Sequence, residues 1–178
     1  MTASGTSPNR SRSPEIEETL RQGRSMTAAH SAPRDIPEGD YTVPLHKAAV
    51  RREGSDVTIL AWLLMLHYSL QAAEQLAAEG ISAEVIDVRS LSPLDLETIG
   101  ASVRRTGRVV IVEEGPKTGG VSAEIAASVM EECGEYLRCP IRRVASADVP
   151  VPFTPVLENA YRPDVPRIVE AALEAMQF

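Results

Sequence analysis

The sequence predicts an α/β fold, a three-layer α/β/α sandwich on a mostly parallel sheet of four strands with an antiparallel edge strand added. Three observations lead there. Short apolar runs bounded by charge and glycine alternate with segments of about 10–15 residues, the rhythm of βαβ units. Apolar positions in the longer segments recur at helical spacing. Helix start and stop residues stand between the two kinds of segment.

The first 38 residues are rich in Ser, Pro, Arg and Thr and show no apolar periodicity. Such a composition buries too little surface to offset ordering entropy, so residues 1–38 are expected to be a disordered tail and residues 39–178 the folded domain. Lys47 to Arg52 reads as a short edge strand closed by Glu53-Gly54. Asp56-Val-Thr-Ile-Leu-Ala61 reads as a buried strand. The next helix is expected over Leu64 to Glu79, with Leu66, Leu70, Ala73 and Ala77 on one face and Gly80 stopping it. Ala83 to Val88 is a second buried strand. Ser92-Pro93 suits a helix start, with Ser as cap and Pro in the first turn, for a helix over Pro93 to Thr106. Arg108 to Val112, Ile141 to Val144, Gly120 to Cys133 and Val165 to Met176 supply two more strands and two more helices. The proline-rich stretch from Val149 to Pro163 is expected to be an irregular surface loop.

Composition narrows the function classes. A formal net charge of −7 argues against nucleic acid as a partner, because phosphate binding needs a basic face. No apolar run approaches the ~18 residues of a membrane span. The Arg- and Ser-rich opening hints at a transit peptide, but Glu15, Glu17 and Glu18 spoil that pattern, and a cytoplasmic protein is the expectation. Cys133 and Cys139 lack metal-ligand spacing and read as reduced thiols.

Motifs for chemistry are sparse. Trp62-Leu63-Leu64-Met65 follows the first buried strand without any glycine, which removes a dinucleotide fingerprint. The richest polar stretch is Glu113-Glu114-Gly115-Pro116-Lys117-Thr118-Gly119-Gly120. Its paired glycines open a helix whose free N–H groups could hold an anion, or simply make a tight strand-to-helix connection. Glu113 and Glu114 alternate in direction if the strand continues, so they do not form one carboxylate pair, and one of them is a candidate for an interface. Arg142 and Arg143, near Asp148 in sequence, are candidates for docking a partner by charge-assisted bonds. His67 reads as a packed histidine. Spacing alone gives a fold and no active site.

Several stretches together resemble one family. Asp40-Tyr-Thr-Val-Pro-Leu-His-Lys-Ala-Ala-Val-Arg-Arg-Glu-Gly54 is similar to the opening of the transketolase-type C-terminal domain in beta subunits of thiamine-diphosphate-dependent 2-oxo acid dehydrogenases (pyruvate, branched-chain 2-oxo acid and acetoin). Met65-Leu-His67, Glu84-Val-Ile-Asp-Val-Arg-Ser-Leu-Ser-Pro-Leu-Asp95, Thr106-Gly-Arg-Val-Val, Glu113-Glu-Gly, Gly119-Gly and Ala123-Glu-Ile extend the resemblance over residues 38–178. It implies an assembly and docking domain of the decarboxylating component. Such a domain binds no cofactor alone and works with alpha and cofactor-domain chains that hold thiamine diphosphate, in an oligomer that meets the subunit-binding domain of an acyltransferase. The terminal carboxylate takes part in that docking in some members, which makes Phe178 a candidate. The family's N-terminal domain has no counterpart here, and the tail looks unrelated to it. The family usually has Gly where Leu63 and His46 stand. If a positive φ is needed at position 63, Leu strains it by about 1 kcal/mol or more, and a remodelled turn is expected. A non-catalytic module that binds the dehydrogenase complex is the rival expectation. A flavodoxin-like signalling domain ranks below both, because Ala61-Trp62-Leu63 supplies no acidic residue.

Overall fold

The computed structural model describes residues 40 and 42–178; the tail expected over residues 1–38 lies outside the described residues. Five strands form one sheet in the order β1-β3-β2-β4-β5. They are β1 (Ala49–Arg52), β2 (Val57–Ala61), β3 (Ala83–Asp87), β4 (Val109–Pro116) and β5 (Arg142–Ser146). β1 pairs antiparallel with β3, and the other four strands are parallel. The expected α/β sandwich, with four parallel strands and one antiparallel edge, is therefore the fold. Its helices are α1 (Leu64–Ala78), α2 (Leu96–Thr106), α3 (Val121–Cys133), α4 (Pro155–Tyr161) and α5 (Val165–Met176).

The central strand β2 shows why three layers form. All five of its residues are buried. Val57, Ile59 and Ala61 join a core with α1 and α5, including Leu76 and Ile168. Leu60 points the other way, into a core with Ile99 and Val103 of α2 and Ile125 and Val129 of α3. A strand apolar on both faces must be covered on both. Each fully buried Ile or Leu contributes about 1.5–3 kcal/mol over leaving it exposed.

Some local expectations change. The buried stripe of α1 is Met65, Leu66, Ser69, Ala72, Ala73 and Leu76, so Ala77 faces solvent. α2 begins at Leu96, three residues later than Ser92-Pro93 suggested. Asp95 is the better cap: its carboxylate accepts from the Thr98 N–H at 3.2 Å and the Thr98 hydroxyl at 2.6 Å, and from Ala48 N–H at 2.9 Å. Burial pushes the Asp95 carboxyl up, but these bonds and Lys47 outweigh it and hold it below its usual value. The Ser92–Pro93 peptide is cis. Gly107 closes α2 with φ 68°, a left-handed cap that glycine adopts without strain. Within the stretch read as irregular lies α4, with Pro155 in its first turn, where a missing N–H costs nothing.

The strand order reverses between β2 and β4. β3 lies on one side of β2, and β4 and β5 lie on the other. The connections that leave β2 and β4 therefore flank the topological switch point, where open α/β sheets hold ligands and partners.

Candidate partner-docking site

At the switch point the backbone is strained. Leu63 has φ 52° and ψ −130°, a conformation that favours glycine, and its side chain is 74% exposed. The turn is thus not remodelled around leucine. The side chain is carried in the left-handed region at a cost of order 1–3 kcal/mol. His46, the other position of this kind, has no positive φ and lies exposed in a turn.

β4 runs on through Glu113 and Glu114, so the two carboxylates do diverge. Glu113 is buried and accepts from the backbone N–H of Ser122 at 3.3 Å and from the Ser122 hydroxyl. A carboxylate there complements the positive end of the α3 dipole. A Cβ on Gly120 would collide with the Glu113 carboxylate and the Pro116 carbonyl, so glycine is needed for this close approach. The first turn of α3 is thereby occupied from within the chain: Glu113 takes the place that an outside anion would hold. Gly119, at φ 71°, completes the turn.

Glu114 points to the other side. Its carboxylate lies 4.0 Å from Nη1 of Arg162, which is also 3.7 Å from Glu158. Arg162 is only 5% exposed and donates through Nη2 to Asn159 at 2.6 Å, while its Nε and Nη1 have no hydrogen-bond partner among the described residues. Burial raises the Glu114 carboxyl above its usual value, with Arg162 pulling it down and Glu158 pushing it up. Arg162 thus sits between carboxylates at the end of β4 and on α4, drawn to both by charge. Spacing singled out Glu114 and missed Arg162; the Glu158–Arg162 pair, four residues apart on and just beyond α4, was the available signal.

The four docking candidates fall into two places. Arg142, at the start of β5, bonds Glu174 of α5 at 3.5 Å and stacks over the Phe178 ring at 5.8 Å. Arg143 donates to the Lys117 carbonyl at 3.1 Å. Asp148 accepts from the Thr118 N–H at 3.0 Å and hydroxyl at 2.6 Å, bonds that hold its carboxyl below the usual value. Arg143 and Asp148 therefore brace the 117–118 loop, while Arg142 and Phe178 meet at the opposite end of the strand. Phe178 is exposed.

Beyond β5 the surface turns apolar. Val149, Val151, Phe153, Val156 and Leu157 are all exposed, Phe153 completely. Leu63, Leu91 and Val121, in or at the end of the connections leaving β2, β3 and β4, are exposed as well. Because these strands are parallel, every one of these side chains belongs to the carboxyl end of the sheet. Among the described residues, no group of three or more His, Cys, Asp and Glu could hold a metal, and no helix is long and apolar enough to cross a membrane.

This arrangement defines an α/β/α domain whose loops at the carboxyl end of the sheet are bonded inward and carry exposed apolar side chains. The chain belongs to the transketolase C-terminal domain family, which matches residues 46–168. It is 47% identical over 160 residues to the mitochondrial pyruvate dehydrogenase E1 component subunit beta-1 of Arabidopsis thaliana, covering 90% of this chain and 43% of that protein. It is 43% identical to the mitochondrial 2-oxoisovalerate dehydrogenase subunit beta of Dictyostelium discoideum, over 83% of this chain and 40% of that one. A solved structure described as a split gene transketolase, inactive beta4 tetramer, superimposes with a TM-score of 0.68 at 34% identity, covering 81% of this chain and 46% of that one.

The chain thus spans less than half the length of these relatives. An alignment of 160 residues is longer than residues 39–178, so the likeness to the Arabidopsis subunit reaches at least 20 residues into the first 38. That corrects the expectation of a tail unrelated to the family. The expected cytoplasmic location is also overturned, since the plant relatives are mitochondrial subunits; three glutamates were weak ground for setting aside the Arg- and Ser-rich opening.

Proposed function

We propose that this chain serves as the assembly and docking domain of a beta-type decarboxylating component of a 2-oxo acid dehydrogenase. It supports oxidative decarboxylation only together with chains that supply the cofactor-binding domain, and thiamine diphosphate belongs to that assembly. Alpha and cofactor-domain chains and the subunit-binding domain of an acyltransferase are its partners. The observation that carries this reading is the likeness to a beta subunit over 90% of the chain, a stretch that corresponds to 43% of that relative. The inward bonding of Glu113, Arg143 and Asp148 supports it, since these polar groups hold loops in place. Arg142 and Phe178 form a second contact point, where the charged and aromatic pair would meet the acyltransferase domain.

Calorimetry with thiamine diphosphate tests the division of labour. The chain alone is expected to give no saturable heat. Mixed with alpha and cofactor-domain chains it is expected to restore 2-oxo-acid-dependent reduction of an electron acceptor. Turnover by the chain alone, or no association with those chains, overturns the reading. A second reading, a module that binds the complex without turnover, is favoured by the similar beta-chain tetramer described as inactive. Association without restored turnover would select it.

A further inference from the structure

We propose that Glu114, Arg162 and Glu158 form a proton-operated latch for α4: uptake of one proton by Glu114 seats the helix against the end of β4, and its loss loosens the helix. All three groups belong to this chain, so the device works whichever assembly the chain joins.

One guanidinium here serves two carboxylates on different elements. Nη1 of Arg162 lies 4.0 Å from Glu114, on β4, and 3.7 Å from Glu158, on α4. Arg162 is buried, and both glutamates are partly buried. Neither carboxylate takes a hydrogen bond from it: Nη2 donates to Asn159, and Nε and Nη1 have no hydrogen-bond partner among the described residues. With both glutamates ionised, one cation faces two anions, and the second anion is neither neutralised nor fully hydrated. Two carboxylates that share such a site titrate apart, one keeping its proton to higher pH. Glu114 is the one farther from the cation. Burial raises its carboxyl above the ordinary 4.5, with Arg162 opposing and Glu158 reinforcing the rise.

The proton acts on the helix because the cluster spans two elements. From β5, Ser146 donates to the Glu114 carbonyl at 2.7 Å, which holds the strand in place. The charged groups acting on the Glu114 carboxyl are Arg162 and Glu158, both carried by α4 or the residue that ends it. Lifting α4 away returns Glu114 to water and to its ordinary acidity. A carboxyl with a raised folded-state value adds stability that is fully present below the unfolded value and is lost as pH rises through the folded one. The seated helix is therefore favoured by acid and loosened towards neutral pH.

Two measurements on the full chain test the latch. The first is a carboxyl carbon NMR titration, with the Glu114 signal assigned through Glu114→Gln. Glu114 is expected to titrate above 4.5, with Arg162→Gln moving its midpoint up and Glu158→Gln moving it down, each by about one unit. If Arg162→Gln does not fold, the Glu158→Gln shift decides. The second is hydrogen exchange of the α4 amides, among them the Glu158 and Arg162 N–H groups that bond Thr154 and Glu158 carbonyls. Glu114→Gln mimics the protonated acid. Wild type is expected to match it in acid and to fall behind as pH rises to about 7.5, by about tenfold in protection for each unit that Glu114 titrates above its ordinary value. A Glu114 midpoint at or below 4.5, or one indifferent to the partner variants, overturns the proposal. So does α4 protection that is the same in wild type and Glu114→Gln at every pH.

Discussion

The two ends of the parallel sheet are built on opposite plans. At the amino end a buried polar network ties three elements together. The Thr58 hydroxyl meets Ser102 Oγ at 2.6 Å and Thr106 Oγ1 at 2.8 Å, and Ser102 and Arg105 both donate to the buried Glu84 carboxylate. Gly54 lies so close that a Cβ there would strike the backbone of Ala83 and Glu84. Every polar group in that network has a partner, and only Arg105 reaches water. The carboxyl end bonds Glu113, Arg143 and Asp148 inward too, but Arg162 keeps two nitrogens without hydrogen bonds there and several apolar side chains are exposed. One end is tied together by buried polar bonds, and the other carries exposed apolar side chains in the connections that leave its strands.

Substitutions can break or sharpen this contrast. The largest effect is expected at the amino end. Glu84→Ala removes the acceptor for Ser102 and Arg105 and leaves a void at a position only 1% exposed. A loss of about 3 kcal/mol in urea unfolding is expected, moderated because Arg105 can turn to solvent. A smaller effect of opposite sign is expected at the carboxyl end. Leu63→Gly relieves a positive φ and gives up little packing, so a gain of about 1 kcal/mol should appear in the same measurement. If it destabilises instead, the exposed leucine is held by contacts that outweigh its backbone strain.

The smallest effect concerns pH. The Asp148 carboxyl is held below its ordinary value of 3.8. A group with a depressed folded-state pKa adds stability that is present above the unfolded value and is lost as pH falls through the folded one. Wild type and Asp148→Asn should therefore differ slightly and constantly above about pH 5, and the gap should close as pH drops below about 4. Melting curves across that range check the sign. A gap that widens on acidification would mean that the Thr118 bonds do not govern this carboxylate.

The contrast also explains what could be read from sequence. Strand β2, apolar at four of its five residues, and α5, with its strong helical stripe, were legible because each is dictated by its own burial pattern. The two carboxylates at 113 and 114 were correctly separated, because alternation follows from strand geometry alone. What Glu113 bonds to was not legible, since its partner Ser122 lies on the next element and the pairing depends on how the loop closes. Helix α4 was hidden because three prolines in eight residues, 148–155, look like a loop, although Pro155 also fits a first helical turn. Arg162 gave no local sign of burial; tertiary placement of Glu114 and Glu158 decides it. The apolar run 149–157 was visible as letters, but its exposure was not.

Arg162 has a consequence for how encounters at the carboxyl end would proceed. Its charge attracts carboxylates at the end of β4 and on α4, which biases the position of Val156 and Leu157 relative to the sheet. A surface held this way needs little reordering when it is met, so less conformational entropy is given up on contact. Complex formation would then be governed by how often two molecules collide in the right orientation, with slow rearrangement playing little part.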